Sequence, residues 1–461
     1  MPNSSVKNSA IKTLARDNTC RAIIDLTALQ FNFAQLKAIA GSSQVMAVIK
    51  ADAYGHGLIE VAKALSSQAQ GLAVARLKEA LELRLHGIKN RCLLLGSLID
   101  AQQLQTCADH NIDLVIHNSQ GVDLVVQASL SHAVNIWLKV DVGMHRLGLS
   151  PAQLLESYKQ LSSSHNVASI VLMCHLSSAD DQSAVTGQQL ASFEDLTQSL
   201  SSPKSAANSA ALLSQPDSHY HWVRPGIALY GANPLPCPPF DQTRIELKPV
   251  MTLKAKVIAI RELQPGQGVG YNHRWSSAQR TTLATVGIGY ADGYPRHAKD
   301  GTPVLVNGQI ARLAGRVSMD LMTIDISECG TVAIGDEVTL WGEGLPAEQV
   351  AAFLIAFAAL IKCAQLPIHG WLIKVVEVPT PVSALLHAGV INLGGFLLIL
   401  FAPLFIQASA AQWLILIVAG LTTVISALIM TTRISVKVRL AWSTSAQMGL
   451  MLVECALGLF E

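Results

Sequence analysis

From Cys20 onward, short apolar runs alternate with longer stretches of helical period. RAIIDL, QVMAVIK, GLAVA, CLLLG, DLVIH, NIWLKV, SIVLMCH and HWVRP each read as a strand, while LKEALELRLHG and GQQLASFEDLTQSL carry the spacing of amphipathic helices. About eight such strand-helix units in a row predict a parallel sheet closed into a (β/α)8 barrel. A doubly wound open sheet is the alternative, but no G-x-G-x-x-G comes after the first strand to favour it. Further on, MTLKAKVIAI, TTLATVGIGY, TPVLVNGQIARLAG, MTIDI and EVTLWG are short strands punctuated by Gly and Pro, which predicts a smaller all-β domain. The last part is different again. AAFLIAFAALIKCAQL, ALLHAGVINLGGFLLILFAPLFI, WLILIVAGLTTVISALIMT and AWSTSAQMGLMLVECALGLF are nearly uncharged runs with no polar face, and they have the length of membrane-spanning helices, the first being borderline. The expected order is a polar N-terminal extension over 1–19, the barrel over 20–240, an incomplete β-domain over 241–350 and a hydrophobic all-α, membrane-type segment over 351–461.

Composition supports that division. Only 14 % of the 461 residues are charged and 50 % are hydrophobic, an average that joins a soluble part to a lipid-like one. A net charge of +1 provides no electrostatic footprint for nucleic acid, so no such partner is expected. The eight cysteines are scattered, with no CxxC and no cysteine-histidine spacing for zinc, so reduced thiols and no metal are expected. The first nineteen residues are polar and lack the apolar core of a secretory signal, which makes the cytoplasm the expected compartment of the soluble part.

The segment AVIKADAYGHG puts Lys50 at the C-terminal end of an apolar strand, before a turn of small residues. In a barrel that end is the active-site rim. A lysine there forms a Schiff base with an aldehyde cofactor when burial and neighbours leave its amine unprotonated; taken alone, a strand-end lysine is more often a surface charge. KADAYGHG resembles the cofactor-lysine motif of alanine racemases. LKVDVGMHRLG, MCHLSSAD, the NSAALL run, WVRPGIALYG, VGYNHRW, GYADGYPR and AGRVSMD come in that family's order across residues 20–350.

The resemblance implies a pyridoxal 5'-phosphate enzyme that interconverts L-alanine and D-alanine, supplies D-alanine for peptidoglycan, and works as a homodimer. Lys50 would hold the cofactor and act as the base on one face of the substrate Cα. Tyr271, from the partner subunit, would be the base on the other face, since inversion needs a proton removed from one side and returned on the opposite one. Arg224 would face the pyridine nitrogen; it does not readily lend a proton, which weakens the ring as an electron sink and restrains side reactions. His175 would lie against the ring. The phosphate would be held by Tyr54, Ser209 and the amides of Gly226 and Ile227, and the substrate carboxylate by Arg146 and the backbone at Met319. Tyr290 would narrow the entrance. Lys139 matches a lysine that is often carbamylated in the family, oriented toward Arg146.

The resemblance stops after LWGEGLPAEQVAA, where a racemase would complete its β-domain and bring a further tyrosine to the phosphate; this chain has no tyrosine after Tyr294. The remaining stretch, with KCAQLPIHGWL, VPTPVSALLHAG and VKVRLAWSTSAQMG, is similar to part of the antiporter-like, proton-translocating membrane subunits, most of all the type paired with a bicarbonate-uptake partner. Lys362, Glu377, His387 and Lys437 match polar positions on the ion path of those subunits. Such a short piece without its inverted-repeat partner is expected not to conduct ions. If all four runs span, Lys374, Arg433, Lys437 and Arg439 fall on the side opposite the racemase part; the positive-inside rule makes that side cytoplasmic, which conflicts with a cytoplasmic enzyme. Two alternatives to a working racemase remain: an inactive cofactor-binding relic fused to a membrane segment, and a fragment of an ion-translocating subunit.

Overall fold

The structure, a computed structural model, describes residues 19–97, 100–181, 184–235, 245–345, 347–367, 369, 372, 392–402, 405, 408–432 and 435–459. Glu377 and His387 lie outside the described residues, as does the side chain of Lys437. The chain forms two units, one of residues 24–250 and one of residues 251–461 with the chain up to Ile23.

In the first unit eight parallel strands, Gln44–Val48, Gly71–Val74, Arg91–Leu94, Ile112–Ile116, Val134–Lys139, Val167–Met173, Lys204–Ser205 and Trp222–Val223, pair in chain order and close into a barrel. Side chains alternate across each strand. Met46, Val48, Ala73, Leu93, Val115, Trp137, Val171, Met173 and Trp222 therefore fill the inside, while Val45, Ala47, Ile49, Leu72 and Val74 pack outward on the helices. The filling is tight: a Cβ at Gly71 would lie 2.6 Å from Met46 Cε. At the N-terminal end Arg91 pairs with the buried Asp113, which also accepts from Trp137 Nε1 and Asn135 Nδ2 at 3.0 Å each. A carboxylate this deep is tolerable because a cation and two further donors meet it.

Two strands differ from the sequence expectation. RAIIDL reads as the first barrel strand, but Cys20–Ile24 joins the sheet of the second unit, next to Met251–Leu263. One barrel strand, Lys204–Ser205, is only two residues long and set among Ser, Pro and Ala, so it carries no periodic signal.

The second unit contains an antiparallel sheet in the order 20–24, 251–263, 281–286, 322–325, 309–313, 303–306, 337–341, and its last strand pairs again with 251–263. The hairpin 303–306/309–313 turns on Asn307 (φ 50°) and Gly308 (φ 77°), the positive-φ pair that a two-residue turn of this kind requires. Glu337–Trp341 lies between 303–306 and 251–263, so the sheet closes before the chain departs from the racemase pattern. Among the described residues no named strand follows Glu337–Trp341; helices come next.

Beyond the sheet come helices Ala347–Lys362, Leu393–Leu400, Ser409–Thr432 and Val436–Ala456. Of the four expected spans, one described helix is long and apolar enough to cross a membrane, over Ala411–Thr432 with mean hydropathy 2.4. Val436–Ala456 carries Lys437, Arg439 and Glu454, and the first two helices are short. Ala356, Ala359, Leu360 and Cys363 pack with Leu398, Ile415, Ala419 and Leu452, so the first of these helices belongs to the core of the tail.

Candidate active site

Strand alternation places the chemistry. One step of two residues beyond the inward-facing Val48, Trp137, Met173 and Trp222 lie Lys50, Lys139, His175 and Arg224. All four line one cavity of about 570 Å³ at the C-terminal end of the barrel. Tyr54, Arg146, Ser209, Gly226 and Ile227 line the same cavity. Every barrel residue expected at the site is thus brought together.

Lys50 is followed by an unusual turn: Ala51, Asp52, Ala53 and Tyr54 all have φ between 53° and 56°, a left-handed path taken without glycine. Each such residue costs roughly 1–2 kcal/mol, so the turn must be held from outside. Asp52 accepts the amide of Leu58 at 2.7 Å, and Glu79 accepts the amides of Asp52, Ala75 and Arg76 at 3.3, 3.0 and 2.9 Å. The turn brings the Tyr54 ring against Tyr230, with centroids 4.8 Å apart, and Tyr230 donates to the Val48 carbonyl at 3.3 Å.

The Tyr54 hydroxyl rests against bare backbone. A Cβ at Gly226 would stand 2.6 Å from Tyr54 Oη, so only glycine leaves this space. Ser209, buried at the head of helix Ser209–Ser214, accepts the amides of Gly226 at 2.8 Å and Ala228 at 3.4 Å. Its oxygen still carries a proton to donate. The Gly226 amide donates to Ser209 Oγ, and the bare backbone at Gly226 leaves room for an anion.

Charge defines the rest. The cavity lining holds four cations, Lys50, Lys139, Arg146 and Arg224, against one carboxylate, Asp180. Arg224 is 4 % exposed and meets only neutral groups: Ser205 Oγ, the Cys174 carbonyl at 2.7 Å and the Ala206 carbonyl at 3.2 Å. Burial brings it down to about 10. Burial, then Arg224 and Arg146, bring Lys139 down to about 8; burial, then Arg224 and Lys139, bring His175 down to about 3, so this imidazole is neutral near pH 7. Cations that outnumber carboxylates in a largely buried lining imply an anionic occupant. A phosphate beside Tyr54, Ser209 and Gly226 and a carboxylate beside Arg146 fit this arrangement.

The other three expected residues lie in the second unit. Tyr271 opens a short turn after Gly270 (φ 66°) and is 66 % exposed. Tyr290 and Met319 adjoin: the Tyr290 amide donates to the Ser318 carbonyl at 3.1 Å and the Ala291 amide to that of Met319 at 2.9 Å. Arg296 lies over the Tyr290 ring, 5.3 Å from its centroid.

Comparison with known proteins agrees with this arrangement. A model of the alanine racemase N-terminal domain matches residues 24–234, and one of the alanine racemase C-terminal domain matches 250–365. The alanine racemase of Shewanella oneidensis is 45% identical over 348 residues, covering 74% of this chain and 96% of that protein. That of Azoarcus sp. is 44% identical over 343 residues, with the same coverage. The crystal structure of the biosynthetic alanine racemase from Pseudomonas aeruginosa superposes with a TM-score of 0.68 at 42% identity, covering 72% of this chain and 93% of that one. The chain belongs to the alanine racemase family. A model of the NADH:quinone oxidoreductase/Mrp antiporter transmembrane region matches residues 323–460, overlapping the racemase C-terminal model over 323–365.

Reading motifs alone missed the supports of the racemase site. Asp52 and Glu79 hold the left-handed turn, and Asp141 accepts the amides of Gly143, Met144 and His145 at 3.0, 3.0 and 3.1 Å in the loop that carries Arg146. Asp52 and Asp141 stand inside the quoted motifs, and an Asp two residues before a Gly, as Asp141 is before Gly143, is a turn signal. Glu79 lies on a helix, and nothing in its spacing marks it.

Proposed function

We propose that the chain is a pyridoxal 5'-phosphate-dependent alanine racemase that interconverts L-alanine and D-alanine and supplies D-alanine for peptidoglycan. The observation that carries this reading is the convergence of Lys50, Lys139, Arg146, His175 and Arg224 with the Tyr54–Gly226–Ser209 cradle on one cavity. The cofactor, when bound, supplies the electron withdrawal that makes the substrate Cα–H acidic. Tyr54 and Ser209 would donate to its phosphate, Arg224 would face its ring nitrogen without readily giving up a proton, and the neutral His175 would lie against the ring. Arg146 and the backbone at Met319 would hold the substrate carboxylate, and Tyr290 would favour a methyl side chain.

Lys50 Nζ takes or returns the proton on one face of Cα, and Tyr271 Oη does so on the other. Tyr271 is exposed on its own unit, which suits a residue offered to the site of a second subunit; a homodimer is the working form in this reading. Lys139, with its lowered proton affinity, is suited to carry a carbamate that faces Arg146.

The tail is read as a membrane anchor that does not conduct ions, with the racemase part in the cytoplasm. Along Ser409–Thr432, Trp413, Ile417, Leu421, Val424 and Leu428 face outward, while Thr422 and Ser426 are buried. This is the distribution suited to lipid.

The test is alanine racemisation by detergent-solubilised full-length chain supplied with pyridoxal phosphate. The wild type is expected to turn over both enantiomers, and Lys50→Ala to lose at least about a thousandfold in each direction. A cofactor that binds Lys50 without turnover would favour the relic.

A further inference from the structure

Arg146 sits on the loop 141–149, which leaves the barrel after Lys139. The loop is closed at its base, where the Asp141 amide donates to the Leu149 carbonyl at 2.9 Å and the Leu149 amide to that of Lys139 at 2.8 Å. The neighbouring loop carries His175 and Ser177, both on the cavity. Gln189, on helix Val185–Thr197, is 3 % exposed and touches both loops. Its Oε1 accepts the Ser177 amide at 3.0 Å and the Ser177 hydroxyl at 3.3 Å. A backbone amide only donates, so this contact fixes which end of the Gln189 side chain is oxygen. Nε2 then points the other way, buried and without a partner among the described residues. The part of loop 141–149 beside it is Gly143, whose Cβ position lies 3.5 Å from Nε2. Gly143 has φ 117°, a conformation that favours glycine and leaves the peptide groups around it open to approach.

A buried amide N–H without an acceptor is disfavoured, so Gln189 Nε2 calls for one. We propose that Gln189 is a positioning residue for the substrate-carboxylate end of the site: it anchors the His175–Ser177 loop through Oε1 and offers Nε2 to a main-chain carbonyl of Asp141–His145 when Arg146 engages a carboxylate. The inference rests on the racemase reading in taking alanine as the carboxylate. It assigns Gln189 no contact with the reacting atoms. Its effect is to fix Arg146 and His175 relative to each other, two groups supplied by separate loops.

The test compares full-length wild type, Gln189→Glu and Gln189→Leu, each loaded with pyridoxal phosphate. Gln189→Glu keeps the acceptor for Ser177 and removes the donor; Gln189→Leu removes both. KM for L-alanine and D-alanine is expected to rise about five- to tenfold in Gln189→Glu, the loss of one hydrogen bond, and at least as much in Gln189→Leu, with kcat within about twofold. Propionate, a carboxylate without the amine, is expected to lose calorimetric affinity by the same factor. A fall in kcat at constant KM, or unchanged KM and propionate affinity, overturns the proposal. Should Gln189→Leu fail to fold, Gln189→Glu decides alone. Propionate affinity that depends on Gln189 in a wild type unable to racemise alanine would uphold this inference while removing the racemase reading.

Discussion

In the barrel unit Leu29, Leu72, Leu93 and Trp137 are wholly buried, and the buried polar groups Lys139, Ser209 and Arg224 gather at one cavity. Along Ser409–Thr432 the large side chains Trp413, Ile417, Leu421, Val424 and Leu428 are each more than half exposed, and Thr422 and Ser426 are wholly buried. The first region removes apolar surface from water and brings Lys139, Ser209 and Arg224 to a cavity where a ligand can compensate them. In the second, large apolar side chains face outward while Thr422 and Ser426 are buried together with the apolar Ile415 and Ala419, as on a packed helix whose solvent is hydrocarbon. Changes at the cavity should therefore move catalysis and leave membrane partition alone, and changes in the tail should do the opposite.

After the loss expected for Lys50→Ala, the largest effect is expected at Tyr271. Removing a general base costs typically a hundredfold or more, so Tyr271→Phe should lower racemisation by at least that factor. It should also abolish solvent deuterium exchange at Cα for one enantiomer while the other still exchanges through Lys50. Equal residual exchange of both enantiomers would break the two-base assignment. The variant should remain in the detergent fraction with the wild type.

Of this site, Lys50 was legible from its place at the end of an apolar strand. Lys139, His175 and Arg224 extend the inward-facing series of their strands in the same way, but they were named only through motif resemblance. Arg146, Tyr54 and Gly226 were likewise legible only through that resemblance, since loop positions have no period. What escaped did so for physical reasons. Lys204–Ser205 is too short to alternate, and Cys20–Ile24 alternates like any strand but takes its partner from the second unit. The left-handed turn Ala51–Tyr54 is invisible in composition, because residues that avoid that conformation are held in it by Asp52 and Glu79.

Next in size is Lys139. Lys139→Ala should raise KM about tenfold by releasing Arg146, the loss of one charge-assisted contact. The wild type offers a sharper measurement. A carbamate forms only on the neutral amine, whose fraction falls about tenfold per pH unit below about 8. Added bicarbonate should then restore CO2-depleted enzyme strongly at pH 8–9 and weakly at pH 6. The same lowered value makes protonated Lys139 a cost to the uncarbamylated fold. That cost is relieved as pH rises from about 8 toward the unfolded value of 10.5, where the unfolded chain binds the extra proton. A bicarbonate effect equal at all pH values would rule out this lysine as its origin.

Truncation after Leu345 tests where the two regions divide. The sheet is already closed by Glu337–Trp341, and the next helix packs in the tail core, so the shortened chain should be extractable without detergent and keep kcat within about threefold. The racemase C-terminal model nevertheless extends to 365. Loss of the dimer or of activity on truncation would mean that Ala347–Lys362 serves the racemase as well as the tail.

The smallest effect distinguishes two solvents by one hydroxyl. Thr422 donates to the Val418 carbonyl at 2.7 Å and accepts the Leu366 amide at 3.0 Å, joining its helix to the segment after Lys362. Thr422→Val keeps the shape and removes the acceptor. In water the freed amide would find another partner; in lipid it has none, so the variant should lose about 1–2 kcal/mol of tail stability, read as earlier unfolding in detergent or bilayer. Racemase kcat should not change. A loss seen equally in aqueous extracts of the chain would show that water reaches this helix pair, and the contrast between the two regions would then hold for composition but not for environment.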